Sequence, residues 1–233
     1  MNYPRHIAIV PDGNRTRAKE RGLPSIVWHK MGFENAKKII KYFFSQTPIE
    51  IATMRWASTE NIQERSPQEL EYLYKIYQII TDDMIQLHKD YGLGFKWIGS
   101  EIGLPSSLIK FFYKQQERYP SKDGKYLILA VNYGGNDEIV RGINSFLSSH
   151  PWVSEITSQE LSSHMDLWNI PPIDLVIRTK GKMAKRLSGF MTWRISYAEL
   201  YFSEKYFPDF TIDELQKTLE RYDSIVSYRN FGK

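Results

Sequence analysis

The sequence predicts an α/β protein built on a mainly parallel sheet. Short apolar runs rich in β-branched residues recur along the chain, and longer amphipathic stretches separate them. The runs are HIAIV (6–10), IEIATM (49–54), FKWIG (95–99), YLILAV (126–131) and IDLVI (173–177). Such runs read as strands buried on both faces, because helices that cover a parallel sheet leave neither face to water. Helical spacing of apolar residues follows near 31–45, 67–90, 105–118, 136–149, 158–165 and 211–227. Two helix starts carry caps: Ser66 before Pro67 with Glu69 behind it, and Thr211 with Glu214. In each, a hydroxyl can accept an amide of the first turn and an acid sits near the positive helix end. With no repeat and no obvious linker, 233 residues fit one domain, 1–233.

Composition excludes several classes of function. No stretch reaches the roughly 18 to 20 apolar residues of a spanning helix, and the start MNYPRHIAIVPDGN runs straight into a strand, so a soluble, cytoplasmic protein is expected. The chain has no cysteine, which removes disulfides, thiolate nucleophiles and cysteine-bound zinc. An excess of 31 basic over 27 acidic residues is too small to imply a nucleic-acid partner.

In an open α/β sheet, ligands collect beyond the carboxyl ends of the strands, so the segments just after strands are the candidates. The first is HIAIVPDGNRTRAKERG. Asp12 follows a buried strand there, and Gly13-Asn14 turns the chain into a basic helix. A carboxylate in that place can hold Mg²⁺, Gly13 lets backbone amides approach an anion, and Arg15, Arg17 and Lys19 add charge. Read alone, Asp-Gly is equally a surface turn. In WASTENIQERS, Ser58, Thr59, Glu60 and Asn61 open a helix, and Ser58 or Thr59 is by itself an N-cap. VNYGGNDEI supplies a Gly-Gly turn. In IDLVIRTKGKMAKRLSGF, Arg178 ends a strand and Lys180, Lys182, Lys185 and Arg186 follow it. Five crowded cations repel one another unless a polyanion sits among them, and arginine binds phosphate bidentately.

Taken in order, HIAIVPDGN, STEN, NYGG, DLVIRT and WRISYAELYF with FPDF give a chain that resembles the undecaprenyl diphosphate synthase (cis-prenyltransferase) family over nearly its whole length. The resemblance implies a homodimeric α/β fold with about six strands and an apolar tunnel. It implies Mg²⁺-dependent condensation of isopentenyl diphosphate with an allylic diphosphate, touching membranes at most peripherally through a lipid product. By the same resemblance, Asp12 would bind Mg²⁺ on a substrate diphosphate, with Gly13, Asn14, Arg15 and Arg17 around it. His29 would contact the allylic diphosphate, and Asn61 would assist proton removal beside Ser58 and Glu60. Arg178, Arg186 and Ser188 would hold isopentenyl diphosphate, and Glu199 would be a second metal ligand acting near the dimer interface. LEYLYKIYQIITDDMIQL could wall the tunnel or simply pack the core.

The chain departs from the family pattern on the allylic side. Thr16 stands in place of an arginine, Arg17 of a tryptophan, Ser25 of an arginine and Trp28 of a glycine. Trp56 replaces a small tunnel-lining residue and Arg55 an aromatic one; the loop after Arg178 is two residues long in excess, and Asn230-Phe231-Gly232 replaces Arg-X-Gly. These changes lead to the expectation of weak or altered allylic binding and a short product. Two other readings share the fold: an irregular, head-to-middle or cyclising prenyl synthase of the lavandulyl type, and a non-catalytic partner subunit.

Overall fold

The computed structural model describes residues 1–82, 84–180 and 185–230. Six parallel strands form one sheet in the order β3-β4-β2-β1-β5-β6. They are β1 (His6–Pro11), β2 (Ile51–Ser58), β3 (Gly94–Ile98), β4 (Tyr126–Tyr133), β5 (Leu175–Thr179) and β6 (Glu199–Ser203). Helices α1 (Asn14–Glu20), α2 (Ser25–Gln46), α3 (Thr59–Glu64), α4 (Pro67–Asp82), α5 (Met84–Tyr91), α6 (Ser106–Arg118), α7 (Gly135–Ser149) and α8 (Ser158–Ser163) lie between the strands, and α9 (Ile212–Asn230) follows β6. The helix expected over 67–90 is thus described as α4 and α5, on either side of Asp83, which lies outside the described residues.

The uninterrupted apolar sequence of β1 has a direct physical cause. Its residues alternate between two cores, one on each face of the sheet. Ile7 and Ile9 pack with Phe43 of α2, Tyr77 of α4 and Leu215 of α9. Ala8 and Val10 point the other way, into Leu167, Ile170, Phe190 and Met191. Residue reading found five strands; the sixth, implied only by resemblance, is the edge strand β6, whose Glu199, Tyr201 and Phe202 are half-buried and whose Leu200 is exposed.

The β2/β4 ladder contains two irregularities. Arg55 pairs with Ala130, but Ala57 pairs with Val131, so Trp56 is an extra residue in β2. Ser58 then pairs with Tyr133, which leaves Asn132 as an extra residue in β4, with a left-handed φ of 55°. Two amide bonds hold that bend, for Asn132 Nδ2 donates to the carbonyls of Ser100 and Ile102, both at 2.8 Å. A bulge re-aims side chains that strict alternation would send to opposite faces.

One buried group of β1 sets a pH limit on the fold. His6 is fully buried, with Nδ1 2.8 Å from the Pro171 carbonyl and Nε2 2.8 Å from Thr53 Oγ1. The carbonyl can only accept, so Nδ1 carries the proton and Nε2 accepts from Thr53. Burial is the main cause that pushes the imidazole down to about 4. The unfolded chain therefore binds this proton more readily than the folded one: stability is complete above about pH 6.5 and declines as pH falls toward 4. The expected loss is about 3 kcal/mol across that window. Urea unfolding at a series of pH values measures it, and His6→Gln should flatten that part of the profile; an unchanged slope would mean another group governs acid stability.

Candidate active site

A cavity of about 1100 Å³ opens at the carboxyl ends of β1, β2 and β5, with α1 to α4 forming its remaining wall. That exceeds the usual 300 to 1,000 Å³ of a single-ligand pocket and leaves room for two substrates. Its lining carries Arg15, Lys19, Arg55, Arg65, Arg178, Lys180 and Arg186 against Asp12, Glu60, Glu64 and Glu69, an excess of three positive charges. Its apolar part is lined by Trp56, Leu73 and Ile76, among others.

Asp12 is fixed at both backbone groups. Its N–H donates to Thr179 Oγ1 at 3.0 Å and its carbonyl accepts from Phe207 N–H at 3.0 Å. The side-chain Oδ1 accepts from Gly13 N–H at 2.8 Å, while Oδ2 pairs with Arg178 Nη2 at 2.8 Å and Lys180 Nζ at 3.2 Å. Gly13 is required twice over: its φ is 102°, and a Cβ there would lie 2.3 Å from the Tyr206 ring. Arg178 is only 3% exposed and also donates to Ser188 Oγ at 3.0 Å and to the Arg186 carbonyl. Ser188 adopts a left-handed φ of 49°, and its carbonyl accepts from Arg55 at 3.1 Å, so two guanidinium groups shape this loop. Arg186 and Ser188 line the cavity, as does Lys180; Gly181 and Lys182 lie outside the described residues.

Ser58 and Asn61 form a reciprocal cap on α3. The Asn61 amide donates to Ser58 Oγ at 3.3 Å, and Asn61 Oδ1 accepts from Ser58 N–H at 3.4 Å. Both line the cavity beside Glu60, whose carboxyl is held low first by the Ser58 hydroxyl and also by the Arg55 charge. Asn61 Oδ1 also accepts from Arg65 Nη2 at 3.4 Å. Sequence reading missed Arg65 and Glu69 as site residues. The signal was available in the spacing, since Arg65 follows Asn61 by four residues, one helical turn.

His29 is buried and faces the same cavity, with Nε2 3.1 Å from Glu69 Oε1. Burial, then the Arg65 charge, lower its pKa, so the ring is neutral and Nε2–H donates to Glu69. Arg15, Thr16 and Asn14 line the cavity; Arg17 does not. That is a correction to the expected set. Arg17 pairs with Asp209 at 3.0 Å and lies between the Trp28 and Tyr206 rings, 5.7 and 5.9 Å from their centroids. Adjacent helical residues diverge by about 100°, so Arg17 turns away where Arg15 and Thr16 turn in.

Trp28 is the second correction. Expected to crowd a phosphate beside His29, it is instead 6% exposed and absent from the cavity wall. Trp28→Gly should therefore cost stability, about 3 to 5 kcal/mol for a buried indole, and give no gain in binding. Thr16→Arg, which does enter the cavity, should by itself tighten an allylic diphosphate by about tenfold or more. Thermal melts and diphosphate titrations of the two single variants check both; a gain from Trp28→Gly alone would reverse the assignment. The side chains at Ser25 and Asn230 and the residues Phe231 and Gly232 fall outside the described residues.

The bulge explains the apolar wall. Arg55 and Trp56 are consecutive, yet both line the cavity. The Trp56 and Tyr77 ring centroids are 6.2 Å apart, and Tyr77 Oη donates to the Trp56 carbonyl at 3.4 Å. In α4, Leu73 and Ile76 face the cavity while Tyr77 is fully buried, so this helix serves as both wall and core.

Glu199 is elsewhere within the chain. It pairs with Leu175 at the start of β5, whereas Asp12 follows the opposite end of the sheet. Leu175 is level with Ile7, so five residues of rise along the strand, about 16 Å, separate the two levels. Among the described residues no cluster of three acidic or histidine side chains could hold a metal. Hard oxygen donors are nonetheless present. Asp12 lines the cavity together with Asn14, whose Oδ1 is buried without a hydrogen-bond partner. Mg²⁺ commonly takes one or two protein oxygens and completes its shell with water and phosphate. The residues thus fit a metal delivered with a diphosphate, held by Asp12 and Asn14.

Residues 10–232 match the family described as "Putative undecaprenyl diphosphate synthase". An isoprenyl transferase from Thermotoga maritima is 35% identical, covering 100% of this chain and 98% of its own length. Lavandulyl diphosphate synthase from Lavandula x intermedia, solved with dimethylallyl diphosphate, superposes with a TM-score of 0.85 at 32% identity, covering 94% of this chain and 95% of that one. A probable undecaprenyl diphosphate synthase from Campylobacter jejuni gives 0.76 at 26% identity, with 96% of both chains covered. With the parallel sheet, the Asp12 turn and the Arg178 loop in place, the chain belongs to the undecaprenyl diphosphate synthase family and is a prenyl transferase.

Proposed function

We propose that this chain condenses isopentenyl diphosphate with an allylic diphosphate to give a short product, with Mg²⁺ accompanying the substrates. The observation that carries this reading is one cavity whose lining joins the Asp12–Arg178 pair and further cations to the apolar side chains of Trp56, Leu73 and Ile76. Arg178, Arg186 and Ser188 hold the diphosphate of isopentenyl diphosphate, while Asp12, Asn14 and Arg15 face the allylic diphosphate, on which charge develops as its carbon–oxygen bond breaks. Mg²⁺, when bound, would neutralise part of that charge. Leu73, Ile76 and Trp56 keep water from the cationic carbon. Neutral His29, fixed by Glu69, and the cap that sets Asn61 position the substrates from the opposite wall.

A second, irregular reaction is favoured by one comparison, the TM-score of 0.85 with the lavandulyl diphosphate synthase. One incubation separates the two: purified protein, Mg²⁺, labelled isopentenyl diphosphate and allylic diphosphates of several lengths, with mass spectrometry of the products. Labelled linear product supports regular condensation, a branched skeleton supports the irregular one, and no product under any pairing overturns both. A homodimer is part of the proposal. Trp168, Tyr197 and Leu200 are exposed apolar residues, 66%, 90% and 46% accessible; Leu200 belongs to the edge strand β6 that carries Glu199, and Tyr197 precedes that strand by two residues. Sedimentation of an active monomer would contradict it. No helix among the described residues is long and apolar enough to cross a membrane.

A further inference from the structure

Asp12 already carries two cations. Arg178 Nη2 and Lys180 Nζ lie 2.8 and 3.2 Å from the same carboxylate oxygen, Oδ2. The two are not equivalent. Arg178 is 3% exposed and committed also to Ser188 Oγ and the Arg186 carbonyl, so its position is fixed. The Lys180 side chain is 31% exposed, and its ammonium sits on a flexible four-carbon stem. It can swing from Asp12 to an incoming phosphate oxygen without uncovering the core. Bare divalent cations face the reverse situation: to reach Oδ2 they must approach two resident positive charges within a cavity whose lining is positive by three.

From this arrangement we propose that Lys180 is a built-in counter-ion that takes over part of the charge a metal would otherwise supply, so that one diphosphate binds this site without a divalent ion. The excess of three positive charges in the lining matches the charge of one ionised diphosphate, whereas a second would need cations from solution. Lys180 then acts in two ways: it raises metal-free affinity for diphosphate, and it keeps free metal away from Asp12. The inference rests on the diphosphate-binding reading above and adds the order in which cation and anion arrive.

Inorganic pyrophosphate is the probe, titrated calorimetrically into the full chain with either EDTA or excess Mg²⁺, while free Mn²⁺ binding without pyrophosphate is followed by electron paramagnetic resonance. Wild-type protein should bind pyrophosphate in EDTA, and Lys180→Met, which keeps most of the stem, should lose about tenfold or more of that affinity. Excess Mg²⁺ should restore the variant far more than it improves the wild type. The variant should also bind free Mn²⁺ more tightly, by about tenfold, because one of two repelling charges is gone. Equal Mg²⁺ dependence in both proteins, or unchanged Mn²⁺ binding, would overturn the role of Lys180 while leaving the site's diphosphate specificity intact. Absence of pyrophosphate binding in every condition would overturn that specificity as well. Lys180→Arg should retain the metal-free binding, which separates charge from a structural effect of losing lysine.

Discussion

Asp12→Ala should lower kcat by at least about 100-fold, because it removes the one carboxylate fixed between the resident cations and the turn at Gly13. The same substitution has a structural cost that must be separated from the chemical one. Arg178 would be left buried at 3% exposure with its anion gone, and breaking such a pair from one side typically costs about 3 to 5 kcal/mol. Asp12→Asn supplies the control. An amide oxygen still accepts from Arg178 and the fold should recover most of its melting temperature, but one charge is missing and turnover should stay low. Single-turnover rates set beside thermal melts test this; an Asn variant that turns over at the wild-type rate would remove the Asp12 charge from the reaction.

Trp56→Ala should lengthen the product. Trp56 lines the cavity beside Leu73 and Ile76, and its ring is backed by Tyr77 at 6.2 Å, so a growing chain that reaches the indole meets a side chain held in place from behind. Removing it opens room for further isoprene units at a cost of about 3 to 5 kcal/mol in stability, the usual range for a large aromatic cut to alanine. Trp56→Phe should give an intermediate length with a smaller cost. Product analysis by mass spectrometry decides: a wild-type chain that already exceeds ten isoprene units, or a variant with unchanged products, would show that Trp56 is not the stop.

Much of this architecture is legible in the sequence, and its misses have physical causes. Runs buried on both faces announce themselves, as HIAIV does, because every residue must be apolar. β6 escapes because an edge strand such as ELYFS is half exposed and needs no such run. Asp12, Gly13, Asn14, Arg178 and Arg186 stand out because they lie in segments that follow strands, where topology collects ligands, whereas Ser188 is singled out by the resemblance alone; all six line the cavity. Arg17 was misplaced, and Trp28 with it, since a segment's charge is readable but its helical phase is not until the packing partners are known. Here Asp209 and Tyr206, nearly 200 residues downstream, decide which way Arg17 faces. Glu69 was seen only as a helix-start acid, because its partner His29 comes from another helix.

The paired irregularities of β2 and β4 make chain length at this site a joint property of two distant positions. Trp56 advances one strand by a residue and Asn132 advances its neighbour by a residue, so the strands return to step just before Ser58 opens α3. Deleting Trp56 alone would pull Ser58 and Asn61 one place out of alignment with Tyr133, whereas deleting Asn132 as well would bring them back. In descent or in design, insertions and deletions here should therefore be accepted in compensating pairs, and a library that varies only one strand would sample mostly chains with a misaligned floor.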